Sequence, residues 1–325
     1  MNLVKFLYVL VVSCFVQIAA KQKLVLFIPF DEYDTHDAIF SGGMDNYWYQ
    51  LKAACEQAGF TLTTNRSINP KKIYAVVAFN APQQDILSQY KDAKKILYMW
   101  EPATIHPRNF SKRVHAQYDR IATWHDGLVD GKKYHKFNYA LLFDAPSKSL
   151  AFEQRKLCCM FVGNKRSAHA HELYSQRLAM INFLEKHAPH EFDLYGPGWS
   201  TQYKTYRGFA ENKVTMMKQY KFAIVYENMC NIPGYITEKI FDAFSAGCVP
   251  VYWGASNIQE YIPEDCFITR EKFASDAEVY EFLRTMPEER YNQYIQAISD
   301  FIRSEKAYLF SRERYIETFI DLLRS

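Results

Sequence analysis

The chain has 325 residues, 49% of them hydrophobic, enough to bury a large core in about two domains. A formal net charge of +3, with no long basic run, argues against nucleic acid as a partner. Aromatic residues make up 16%, which suits a ring-rich core or a surface that stacks sugars or bases.

At the start, Lys5 precedes an apolar run over 6–20, the pattern of a signal peptide or short signal anchor occupying residues 1–21. The run is shorter than the roughly 20 residues of a membrane span, and Ala19 and Ala20 permit cleavage. This predicts a secretory or membrane-anchored chain: Golgi lumen in a eukaryote, exported or envelope-associated in a bacterium. A buried first strand is the competing reading, and "VVSC" ending at Cys14 is a weak lipoprotein pattern. The six later cysteines (55, 158, 159, 230, 248 and 266) contain no C-x-x-C pair, which disfavours a zinc or redox site. Cys158 and Cys159 sit in an apolar run and are expected to be core thiols. Sequons at Asn65 and Asn109 fit a secretory route.

Beyond the leader, apolar runs alternate with helical patterns. "KLVLFIPF" (23–30) is followed by a helix over 44–59, "KIYAVVAF" (72–79), a helix near 82–91, and "KKILYMW" (94–100). "RIATW" (120–124) and "YALLF" (139–143) read as further strands, and "DAPSKS" (144–149) as a linker. The alternation then resumes with "KLCCMFV" (156–162), a helix over 170–187, "FDLYG" (192–196), a helix near 211–219, "KFAIVY" (221–226), a helix over 237–246 and "CVPVYW" (248–253). From about 276 the pattern is helical to the end. Continuous apolar strands alternating with helices predict parallel sheets covered on both faces. The domains expected are 22–149, 150–285 and a helical tail over 286–325.

"YENMCNIPGYITEKIFDAFSAGCVPVYWG" (226–254) sets Glu227, Asn228, Tyr235, Thr237, Glu238 and Lys239 between two apolar runs. Polar groups at the carboxyl end of a parallel strand stand where open α/β sheets bind ligands. Gly234 allows a sharp turn, and Thr237 is a fair N-cap for a helix whose first turn carries Glu238 and Lys239. Free amides and a lysine there would attract phosphate; a solvated helix end fits the same residues.

The segment from Tyr220 to Gly254 resembles the donor-binding signature of the α1,3/4-fucosyltransferase family: an aromatic-rich strand, F-E-N, a short loop, Y-[VI]-T-E-K, then V-P-[VI]-x-x-G. It departs in "VYEN" for F-E-N. The resemblance implies a GT-B fold, two Rossmann-like α/β/α domains facing across a cleft, with GDP-fucose in the C-terminal domain and a glycan acceptor toward the N-terminal one. It places Asn228, Tyr235, Glu238 and Lys239 on donor-contacting positions, Lys239 neutralising the diphosphate and Glu238 accepting from ribose or sugar hydroxyls. "CMFVGNKRSAHAHELYSQRLAMINFL" (159–184) resembles the family's strand, turn and arginine-bearing helix, with Gly163-Asn164 in place of S-N. There Arg177 falls on the phosphate-binding arginine. "ILYMWEP" (96–102) puts Glu101 at a strand end, where the family carries its catalytic glutamate in an E-S-P-like turn; the serine is absent here.

The activity implied is inverting transfer of L-fucose from GDP-β-L-fucose to a hydroxyl of an N-acetylglucosamine-containing glycan, an α1,3-fucosyltransferase. Glu101 would be the base, with Asp119 or Asp126 as the alternative carboxylates. No Asp-x-Asp occurs, so no metal site and no required cofactor are expected, a divalent ion being at most stimulatory. The rival readings are a GT-B transferase using another nucleotide sugar and an inactive GDP-sugar-binding relative. An NAD-dependent oxidoreductase is disfavoured because the first strand is not followed by G-x-G-x-x-G.

Overall fold

The computed structural model describes residues 22–30, 36–43, 46–83, 85–139 and 150–325. The leader, the 144–149 linker and all but the first residue of the 139–143 strand lie outside them.

The N-terminal unit contains β1 (Lys23–Ile28), α1 (Tyr47–Gln57), β2 (Phe60–Thr63), β3 (Ile73–Phe79), β4 (Lys94–Met99), α2 (Lys112–His115), β5 (Arg120–Thr123) and β6 (Tyr134–Lys136). Its six strands are all parallel, in the order β2-β1-β3-β4-β5-β6. β3 shows why: every residue but Tyr74 is buried, as a strand covered on both faces requires.

The second unit contains β7 (Lys156–Phe161), α3 (Tyr174–His187), β8 (Phe192–Tyr195), α4 (Lys213–Met217), β9 (Tyr220–Tyr226), α5 (Glu238–Ala246), β10 (Val249–Trp253), α6 (Ile258–Tyr261), β11 (Ile268–Thr269), α7 (Asp276–Arg284), α8 (Glu288–Ile302), α9 (Glu305–Tyr308) and α10 (Arg312–Arg324). Its parallel sheet runs β11-β10-β9-β7-β8. Strand order therefore reverses between β7 and β9, and a crevice opens beyond their carboxyl ends.

The structure departs from the sequence reading at one place and adds to it at two. The helix expected near 82–91 is a single 3-10 turn, Leu87–Gln89, in a segment that opens on Pro82 and packs Ile86, Leu87 and Tyr90 inward. β2 and β6 are strands that apolar patterning did not mark, because each is short. The tail does not stay with its own unit. α10 returns to the N-terminal sheet, where Phe319 meets Phe27 and Tyr98 and the Leu323 carbonyl accepts from Tyr74 and Lys94.

All six described cysteines are buried free thiols, including Cys158 and Cys159 in β7. Asn65 is exposed. Asn109 is 0% exposed, its amide donating to Asn80 and to the Glu101 carbonyl, so its sequon is inaccessible in the folded chain. Among the described residues no helix is long and apolar enough to cross a membrane.

Candidate active site

The polar cluster after β9 is organised by Glu227. Its side chain has no exposed surface. It accepts from the Thr237 amide (2.9 Å), from the Thr237 hydroxyl (2.9 and 2.8 Å to its two oxygens) and from Lys239 Nζ (3.1 Å). The end of β9 is thereby tied to the first turn of α5, where Thr237 caps the helix. Burial would lower the Lys239 pKa, but the carboxylates of Glu227 and Glu238 outweigh it and hold the ammonium above its ordinary value. Glu238, 3.5 Å from Lys239, keeps 42% of its side-chain surface open. Its pKa is lowered because Lys239 and Lys213 overcome the burial that would raise it. Sequence patterning singled out Glu238 and Lys239; the buried carboxylate that aims Lys239 was visible only as a polar interruption.

Arg177, from α3, reaches the same strand end from the other side of the β7/β9 reversal. It is buried, with Nε and Nη2 donating to the Tyr226 carbonyl (3.1 and 2.6 Å) and Nη2 also to Asn228 Oδ1 (2.9 Å). Nη1 makes none of these bonds. Arg177 also lines a 210 Å³ cavity with Gly163, Asn164, Lys165, Arg166 and Trp199. Lys165, Arg166 and Trp199 were not anticipated. They lie in loops after β7 and β8, which carry no periodic signal. Residues 195–199, "YGPGW", are brought in by contact: Trp199 Nε1 donates to the Val162 carbonyl (2.7 Å), and Asn164 donates to the carbonyls of Pro197 and Gly198. A Cβ on Gly196 would stand 2.2 Å from the Val162 oxygen, so this approach needs glycine.

Glu101 follows β4 at the carboxyl edge of the N-terminal sheet. Its backbone is fixed from both sides: Asn80 Oδ1 accepts its amide (2.8 Å) and Asn109 donates to its carbonyl (2.9 Å). Among the described residues its carboxylate has no hydrogen bond or ion pair. Burial raises its pKa, while Lys239 and Lys165 of the second unit lie close enough to oppose that rise and Glu238 adds to it. The two sheets thus face each other, with the free carboxylate opposite the cationic cluster. Aromatic rings frame the turn. The Trp100 carbonyl accepts from Trp124 and Tyr139, and the Trp100 ring lies 4.6 Å from Tyr139 and 5.4 Å from the 42%-exposed Phe30.

The alternative carboxylates are differently placed. Asp119 precedes β5, at the opposite end of the sheet from the cleft, and accepts the Lys95 amide. Asp126 closes the units onto each other, accepting from Lys136 (2.6 Å), Asn257 (2.9 Å) and Tyr261 (2.7 Å). Burial pushes its pKa up, but these donors bring the net value below the ordinary one. Gly234 sits against this clasp with φ +83°; a Cβ there would lie 2.3 Å from the Trp124 oxygen and 2.8 Å from Asp126 Cγ. The next residue, Tyr235, is 1% exposed with its ring 4.5 Å from Trp124. Tyr235 therefore lies at the junction between the units. No group of three or more His, Cys, Asp or Glu suited to a metal occurs among the described residues.

A family model described as glycosyltransferase family 10 (fucosyltransferase), C-terminal part, matches residues 151–316, half of the chain. The chain belongs to this family. The matched region contains the whole β7–β11 sheet, Arg177, and the Glu227–Lys239 cluster. Mouse 4-galactosyl-N-acetylglucosaminide 3-alpha-L-fucosyltransferase 9 is 32% identical over 164 residues, 49% of this chain and 40% of the mouse protein. Alpha-(1,4)-fucosyltransferase of Arabidopsis thaliana is 36% identical over 80 residues, 24% of this chain and 20% of the plant protein. The alignments thus span less than half the length of these curated relatives.

Solved structures extend the fold likeness across both units of this fucosyltransferase-family chain. An alpha1,3-fucosyltransferase crystallised with GDP-fucose superposes with TM-score 0.57 at 15% identity, covering 94% of this chain and 92% of that one. The DNA-modifying β-glucosyltransferase, crystallised with and without uridine diphosphoglucose, gives TM-score 0.58 at 11% identity, covering 94% and 100%. The fold is of the GT-B type.

Proposed function

We propose that this protein transfers L-fucose from GDP-β-L-fucose to a hydroxyl of an N-acetylglucosamine-containing glycan, with inversion, as an α1,3-fucosyltransferase. The observation that carries the reading is the Glu101 carboxylate, unpaired among the described residues, facing Lys239 and Lys165 across the cleft. Membership of the family supports fucose as the sugar.

The donor lies in the β7/β9 crevice. Lys239, Arg177 through its remaining Nη1 and Lys165 bear on the diphosphate; the amides expected to be free at the start of α5 are not, since that of Thr237 is spent on Glu227 and that of Lys239 on the Thr237 hydroxyl. Asn228 orients Arg177, Glu238 accepts from donor hydroxyls, and Tyr235 shapes the wall of the cleft. Glu101 removes the proton from the acceptor hydroxyl as that oxygen attacks the anomeric carbon. The bond to the β-phosphate oxygen breaks on the opposite face, and its electron pair leaves with GDP. A carboxylate whose pKa is raised by burial is a stronger base. The cations stabilise the charge that develops on the leaving group, so no metal is required for that step. Phe30 and Trp100 offer ring faces to the acceptor. The Lys5-led leader carries the chain into the secretory route or holds it at a membrane, the Golgi in a eukaryotic cell.

Purified protein given GDP-fucose and an array of N-acetyllactosamine and chitobiose-core acceptors should form a fucosylated product. Turnover with UDP-glucose but not GDP-fucose would overturn the donor assignment. GDP binding without transfer to any acceptor would mark an inactive relative.

A further inference from the structure

A second cationic concavity lies away from the donor crevice, in the N-terminal unit. A cavity of 700 Å³ opens between the turn after β3 and α2. That is within the roughly 300–1,000 Å³ typical of ligand pockets. Lys91, Lys95, Arg108 and Arg113 line it, with Asp85 the one acidic residue among them. They come from separate stretches of the chain, so no basic run announces them in sequence.

Among the described residues none of the four cations is paired with a carboxylate. Lys95 Nζ donates to the carbonyls of Lys91 (3.3 Å) and Ala93 (3.2 Å), and Arg108 Nη2 to that of Pro82 (2.9 Å). The Lys91 and Arg113 side chains make no hydrogen bond or ion pair among the described residues. Asp85 accepts the Ser88 amide at 3.3 Å and neutralises none of them. Elsewhere lysines and arginines of this chain find acids, as Lys136, Lys156 and Arg270 do. Four unneutralised cations around one concavity focus positive potential into it. The floor is apolar, formed in part by buried Leu87 and Val114.

We infer that this cavity is a binding site for a multiply charged oxyanion ligand, a sulfated oligosaccharide, distinct from the donor crevice. Several separated cations suit several separated sulfates, and the apolar floor suits the C–H face of a sugar ring. Arg108 makes a charge-assisted fork for one oxyanion, while Lys91 and Arg113 extend the field at the rim. The ligand sits behind the turn that holds Glu101, since Arg108 precedes Asn109, whose amide donates to the Glu101 carbonyl.

The test is calorimetry of the full chain with a heparin-derived octasaccharide, with and without saturating GDP, for wild type and for the double variant Lys91→Ala/Arg113→Ala. Neither residue supports the fold, so the melting temperature of the variant should match wild type. The inference expects wild-type binding that GDP does not displace, and a loss of tenfold or more in the variant. Asp85→Asn, which removes the one opposing charge, should tighten binding. Inorganic sulfate and inorganic phosphate, run as separate arms, should bind far more weakly than the octasaccharide, because each fills one cation's share of the site. Absent binding, displacement by GDP, equal affinity in the double variant, or inorganic phosphate binding as tightly as the octasaccharide would each overturn it. So would phosphatidylserine vesicles binding through Lys91 and Arg113 more strongly than the octasaccharide, since that outcome assigns the site to a lipid surface.

Discussion

Replacing Glu227 with glutamine keeps the shape of the side chain and removes its charge. In wild type this fully buried carboxylate accepts from the Thr237 amide and hydroxyl and from Lys239 Nζ at 3.1 Å. Glutamine must turn an NH2 group toward one of these donors, so at least one contact becomes donor against donor. A hydrogen bond to a charged group contributes about 1.5–3 kcal/mol, and removing one partner of a buried ion pair costs about 3–5 kcal/mol. Lys239 retains 20% exposure and has Glu238 at 3.5 Å as a second partner, which places the expectation at the low end of the latter range. The predicted loss is therefore ~3 kcal/mol, read as a lower urea midpoint at unchanged slope. GDP affinity should fall as well, because Lys239 is no longer aimed. A variant within ~0.5 kcal/mol of wild type would refute the claim that Glu227 organises this end of the sheet.

Three further outcomes are expected. Burial pushes the Asp242 carboxyl up to about 6, against Lys213 at 4.0 Å. The folded state therefore holds its proton more tightly, and stability present below pH ~4 is lost as pH rises to ~6, by about 1.4 kcal/mol per unit and ~3 kcal/mol in all. Asp242→Asn should abolish that slope in urea unfolding between pH 4 and pH 7.5; an unchanged slope would contradict it. Gly234→Ala, forced to φ +83° and into the Trp124 oxygen, should lose ~2 kcal/mol or more and open the junction. Scattering should then show a larger radius of gyration, and an unchanged radius with full turnover would refute the contact. If Lys165, Arg177 and Lys239 supply the positive charge as proposed, fucose transfer should survive excess chelator; complete loss reversed by a divalent ion would overturn that account.

The two α/β units were legible because buried parallel strands such as "IYAVVAF" and "KFAIVY" are continuous apolar runs bounded by helices. The signature from Tyr220 to Gly254 singled out Asn228, Tyr235, Glu238 and Lys239, and the arginine-bearing helix Arg177; the structure joins Arg177 to Asn228 and sets Lys239 beside Glu227 and Glu238. What sequence did not convey depends on tertiary contact. Lys165, Arg166 and Trp199 gain meaning only because strand order reverses between β7 and β9 and gathers their loops. Glu227 looked like an interruption because its partners Thr237 and Lys239 are fixed by the turn through Gly234. Asn109 matches a glycosylation sequon, yet its amide is consumed inside the fold by Asn80 and Glu101. The return of α10 to the first sheet leaves no mark in its amphipathic pattern, which specifies an apolar face and not the surface that covers it.

The account turns on Glu101 as the base, and Glu101→Gln tests it most directly. The substitution preserves size and leaves the backbone bonds to Asn80 and Asn109 in place. General-base catalysis contributes about 10²–10⁴-fold. Fucose transfer under saturating GDP-fucose should fall by that factor, while GDP-fucose affinity stays near wild type. Retention of more than about a tenth of the activity, or a loss of donor affinity in step with turnover, would contradict the assignment.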